Sequence, residues 1–212
     1  MSEGLDLKQL ERKAWTSYLQ DGIWDIFLGL LLLLLWMGPL FLDPIELPAM
    51  RMAAETGLTA LLILAFWAGK RYITLPRLGR AEFGPARQSR RRKTAAVTAA
   101  GVLLTAILLI VAIAARQDPA GLGAAFGRAG AWIGLGFALM AGLVLGAGAY
   151  FLDFTRGYLH ALLYAAAFAA AEVLHTPIGF LACGAIGLTV GLVVFVRFLR
   201  NHPMPAEEVP NV

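Results

Sequence analysis

Six segments of this chain run for 18 to 24 residues with at most one charged side chain each, and that pattern leaves few folds open. They are 23–42, 52–69, 95–115, 129–152, 157–174 and 178–199. A helix needs about 20 apolar residues to cross a hydrocarbon layer ~30 Å thick. Inside lipid every backbone amide must be paired within the protein, so spans of this length are expected to be helical. The ten-residue stretches of alternating hydrophobicity that mark a membrane barrel are absent. The sequence therefore reads as an all-α integral membrane protein. Residues 1–200 form one domain, a bundle of six transmembrane helices, and 201–212 form a disordered cytoplasmic tail.

Charge is scarce and unevenly placed. Apolar residues make up 59% of the chain and charged ones 15%, against about 25% charged in a soluble domain. Residues 70–94 hold nine of the 18 basic residues. With the N-terminus in the cytoplasm, fifteen Lys and Arg fall on the inner side and three (Arg51, Arg116 and Arg128) on the outer side. Positive charge is retained on the cytoplasmic face, so both termini are expected there, in the plasma (inner) membrane. The first apolar run is too long for a secretory h-region and follows 22 polar-leaning residues, so it is expected to stay as a span.

The basic segment offers one concentrated electrostatic surface. Arg77, Arg80, Arg87, Arg90, Arg91, Arg92 and Lys93 are the candidate contacts to anionic headgroups or to an acidic partner. Nucleic acid is not expected, because a loop tethered at both ends to a bilayer cannot follow a duplex. Two readings of 72–84 stay open: a small hairpin around Pro76-Arg77-Leu78-Gly79, as β-branched and aromatic residues beside a Pro/Gly turn imply, or an irregular basic linker. Residues 5–20 carry helical spacing at Leu7, Leu10, Ala14 and Tyr18, which predicts an interfacial amphipathic helix with Trp15 and Tyr18 in the headgroup zone. Asp21-Gly22 then bends the chain into the first span.

Two patches carry a resemblance. Tyr18-x-Gln20-Asp21-Gly22-x-Trp24-Asp25-x-x-x-Gly29, together with Tyr72-Ile73-x-x-Pro76-Arg77-x-Gly79, resembles a group of uncharacterised prokaryotic multi-pass membrane proteins. The likeness covers the first ninety residues. It implies that the two patches matter together, with Asp21 and Asp25 facing the basic loop, and it implies no activity.

Two further constellations stand out. Gly130, Gly134, Ala138, Gly142 and Gly146 recur every four residues on the fourth span, and Gly187 and Gly191 repeat the spacing on the sixth. Small residues at this interval let helix backbones approach closely, either within one bundle or across a homodimer seam. On the fifth span Arg156, His160, Tyr164 and Glu172 fall on one helix face. Ionisable groups inside a membrane are costly, so this edge, with Asp25 as a partner, is a candidate polar pathway. The same letters also describe two polar caps joined by alanines.

Catalytic signatures are missing: there is no phosphate loop, no His-Glu-x-x-His and no nucleophile elbow. Three dispersed histidines and the single Cys183 give no metal-ligand spacing and no disulfide framework, so no metal or cofactor is expected. The leading expectation is an accessory or scaffolding membrane protein that binds anionic lipid or a membrane partner. The alternative is a small transporter or channel, dimeric, that uses the fifth-span edge.

Overall fold

A computed structural model describes residues 15–38, 41, 47–79, 85–117 and 122–204. At 48, 85–87, 91, 105–106, 108–117 and 122–133 it describes the backbone alone. Among these residues six long helices form the bundle: α1 (Ile23–Met37), α2 (Pro48–Gly69), α3 (Pro85–Gln117), α4 (Leu122–Leu152), α5 (Gly157–Leu174) and α6 (Ile178–Asn201). No strand occurs among the described residues. Among those residues, five of the helices are long and apolar enough to cross a membrane. The remaining one, α3, carries the uncharged stretch 95–115 inside a continuous 33-residue helix.

Local chemistry sets the helix ends. Pro48 opens α2 behind an extended Leu47, because its fixed φ and missing N–H suit the first helical position. The helix that carries the second apolar stretch thus starts at the proline, four residues before that stretch. Gly22 precedes α1 with φ 82°, a left-handed conformation that glycine adopts without strain, and there the chain bends as expected. A short helical turn at 15–19 leads into it.

Residues 70–78 are not a hairpin. Lys70–Thr74 form a π-helical turn, and Leu75–Leu78 continue as α-helix. Pro76 accounts for this. It has no N–H to offer the Tyr72 carbonyl, and its ring would crowd that oxygen in a regular helix. Widening the turn, with Leu75 N–H bonded back to the Lys70 carbonyl, relieves the clash and keeps the chain helical. The second half of the expected hairpin, 80–84, lies outside the described residues. So does most of the expected amphipathic helix, residues 5–14.

The helices follow a spatial order that differs from their sequence order. The most extensive pairs are α1 with α6 and α4 with α5; α3 lies on α4, and α5 on α6. α2 packs on α1, and no comparable pairing joins α2 to α3 among the described residues. The central core joins Leu28 and Leu32 of α1 to Leu163, Tyr164 and Ala167 of α5, with Phe180 and Cys183 of α6 packed against it. A second cluster, at one end, places Trp15 and Leu19 on Phe154. Trp15 is only 5% exposed, and its Nε1 donates to the Leu152 carbonyl at 2.6 Å. The ring plugs the end of α4. The apolar window of α2, by contrast, has none of its residues buried, against 39% for that of the Trp15–Met37 segment that contains α1.

Candidate functional site

Five polar side chains are buried among the described residues: Asp21, Asp25, Lys70, Thr74 and His160. They converge at one end of the bundle, where three helices meet. Burying a charge is costly unless it is paired and hydrogen-bonded, and here each charge has its partner.

Asp21, just before α1, and Asp25, in its first turn, each clamp a different neighbour. Asp21 Oδ1 accepts the Ile23 N–H at 3.1 Å. Its Oδ2 accepts Lys70 Nζ at 2.7 Å and also the Thr74 hydroxyl. Lys70 further donates to the Tyr18 carbonyl at 2.8 Å and lies 4.4 Å above the Tyr18 ring. The π-helical turn after α2 delivers Lys70 and Thr74 to the same carboxylate.

Asp25, in the first turn of α1, where the helix dipole favours negative charge, ties down α5. Its Oδ2 accepts Arg156 Nε at 3.0 Å, and its Oδ1 lies 2.9 Å from His160 Nε2. Arg156 also donates to the Leu19 carbonyl at 3.3 Å. An ionised carboxylate can only accept, so His160 Nε2 carries the hydrogen. His160 Nδ1 is then a buried atom with no partner. It lies where α6 has no side chain: a Cβ added at Gly187 would stand 3.5 Å from Nδ1 and 3.3 Å from Cε1.

Glycines make this convergence sterically feasible. An added Cβ at Gly191 would fall 2.5 Å from Ile26 N, one at Gly29 2.5 Å from Leu188 N, and one at Gly22 2.6 Å from the Gly191 carbonyl oxygen. The α1–α6 seam is therefore backbone against backbone. Gly187 and Gly191 belong to this seam, as does Gly184 against Leu33. On α4, Gly134, Ala138, Gly142 and Gly146 turn toward α5. A Cβ at Gly142 would lie 3.2 Å from the Ala165 Cβ, and one at Gly146 3.9 Å from that of Ala161. Ala138 is buried, and the surroundings of Gly130 lie outside the described residues.

The polar edge of the fifth span divides in three. Asp25, Arg156 and His160 come together. Tyr164 is spent on packing, its hydroxyl donating to the Leu28 carbonyl at 2.9 Å. Glu172 stands apart, near the other end of α5, in a groove with Gly134, Phe137, Phe168 and Ala171. Among the basic residues, Arg90 pairs with Asp153 at 2.9 Å. Arg92 and Lys93 are exposed, and Lys93 lies 6.0 Å from the Phe151 ring. Arg77 Nη1 donates to the Ile73 carbonyl at 3.1 Å, while its Nε is buried without a partner. Arg80 and the side chains of Arg87 and Arg91 lie outside the described residues.

Lys70, Thr74 and the α1 glycines were not among the sequence candidates. A signal for the glycines was present in the first patch, where Gly22 and Gly29 are seven apart beside Asp21 and Asp25, four apart; Lys70 lies outside both patches.

Fold and site together define an all-α, multi-span membrane protein whose helices are locked at one end by buried ion pairs. No family model matches the chain, and no curated protein or solved structure is significantly similar to it.

Proposed function

We propose that the protein is a lipid-binding accessory or scaffolding component of the plasma membrane, with its basic end and both termini on the cytoplasmic side. The observation that carries this reading is the gathering of exposed cations around the buried lock. Arg71, Arg90, Arg92, Lys93, Arg197 and Arg200 are all exposed. They sit beside residues that meet at that end: Lys70 on Asp21, Asp153 on Arg90, and Phe195 on Gly22. A rigid, positively charged platform at a membrane boundary suits anionic headgroups, each nearby Lys or Arg contributing about 1 kcal/mol. The exposed apolar face of α2 (Leu61, Leu64 and Trp67 among others) remains for lipid or for a membrane partner.

The test is a triple substitution, Arg90→Gln, Arg92→Gln and Lys93→Gln, in protein reconstituted into nanodiscs of mixed phosphatidylglycerol and phosphatidylcholine. Native mass spectrometry of the released protein should show several-fold less retained phosphatidylglycerol than wild type. Equal retention would sink the lipid-binding reading.

A second reading, a small transporter, draws on one feature: the buried His160 with its unpartnered Nδ1. It predicts a proton-coupled flux in liposomes that is lost in His160→Ala and untouched by the triple substitution. A flat wild-type trace across a broad panel of ions and solutes would remove it.

A further inference from the structure

A groove opens at the end of the bundle opposite the ion-pair lock. It encloses about 310 Å³ between α4 and α5 and is lined by Gly134, Phe137, Phe168, Ala171 and Glu172. That volume lies at the small end of the range for ligand sites, about 300–1,000 Å³. Glu172 is in the last turn of α5, three helical turns and roughly 18 Å along the axis from His160. Its carboxylate lies directly over Gly134, so closely that an added Cβ there would collide with Oε2. The missing side chain is the notch that holds the acid against α4. The Phe168 ring is held from behind by Phe180, edge to face at 5.0 Å.

One carboxylate in a groove also lined by two aromatic side chains and open to the side selects for a particular chemistry. An anion is excluded by the acid. A metal ion would want several oxygen or nitrogen donors, and no cluster of three His, Cys, Asp or Glu exists among the described residues. An organic ammonium satisfies every wall at once. Its charge pairs with Glu172, and its methyl or methylene groups lie against the rings, whose faces attract a cation within about 6 Å. We infer that this groove is a binding site for an alkylammonium group, carried either by an amine-bearing lipid headgroup or by a free organic amine. The site stands at the other end from the basic platform, and its existence does not depend on that platform's role.

The experiment uses the full chain in nanodiscs of phosphatidylethanolamine and phosphatidylglycerol in equal parts, and separately in detergent titrated with n-butylammonium chloride against a sodium chloride control. The variants are Glu172→Gln, which keeps the shape and removes the charge, and Phe137→Leu, which keeps the bulk and removes a ring. Retained phosphatidylethanolamine by native mass spectrometry reads the lipid arm, and the shift in thermal unfolding reads the free-amine arm. Wild type should respond in at least one arm. Glu172→Gln should weaken that response about tenfold and Phe137→Leu severalfold, the circular dichroism of both variants remaining that of wild type. Retention of the lipid without a butylammonium shift assigns the site to a headgroup, and the reverse assigns it to a soluble amine. Should Glu172→Gln fail to fold, an unchanged response in Phe137→Leu overturns the inference. Wild type silent in both arms, or a Glu172→Gln response equal to wild type, overturns it as well.

Discussion

Replacing Asp25 with alanine is expected to destabilise the protein by about 3 kcal/mol, the low end of the cost of breaking a buried ion pair by removing one partner. The carboxylate is fully buried and serves two groups, Arg156 at 3.0 Å and His160 at 2.9 Å. Its removal strands a guanidinium whose side chain is 27% exposed and an imidazole that is not exposed at all. Arg156 has a route to water and can swing out; His160 has none. Thermal unfolding in detergent, followed by circular dichroism, should show a large downward shift. The triple substitution Asp25→Leu, Arg156→Met and His160→Phe should recover much of the loss, since well-packed apolar groups often replace a buried ion pair at little cost. A single Asp25→Ala variant that melts with wild type would show that the pair contributes nothing to stability.

Gly191→Ala is the second change with a large expected effect. Overpacking a filled core costs typically 1–3 kcal/mol, occasionally more, and this site belongs at the upper end. The new methyl would meet Ile26 N at 2.5 Å and the Asp25 carbonyl carbon at 2.9 Å, both backbone atoms that cannot rotate away. α1 and α6 would have to separate, which also withdraws Asp25 from Arg156 and His160. The loss should therefore be coupled to that of Asp25→Ala: the double variant should be less destabilised than the two singles added together, as expected of residues sharing one structural shift. Gly136→Ala on α4 is the control. Nothing lies within 4 Å of its added Cβ, so its melting should stay near that of wild type. Equal melting of the Gly191 and Gly136 variants would show that the seam is looser than its geometry implies.

These two sites show how far the residues alone could lead. Asp25 and His160 were legible as a candidate pair because ionisable groups within spans are few. The Gly187–Gly191 interval was legible as a packing face. Lys70 and Thr74 were harder to read, because their role depends on a π-helical turn that Pro76 induces and that composition presented as a hairpin or an irregular linker. Glu172 looked continuous with His160 on a helical wheel. Between them Tyr164 bonds to the Leu28 carbonyl, and the edge breaks into two separate sites.

What the sequence determined by itself was the class of protein and the clustering of its positive charge in one segment. Six apolar stretches of span length, each with at most one charge, are expected to become helices, because lipid offers their amides no other partner. Tertiary structure alone decided which helix lies beside which. α1 packs against α6 and α5, so Asp25 meets residues 131 and 135 positions away. A helical repeat reports which face of each span is small or polar. The order of those faces around the bundle depends on many close backbone contacts satisfied at once, and no local pattern encodes it.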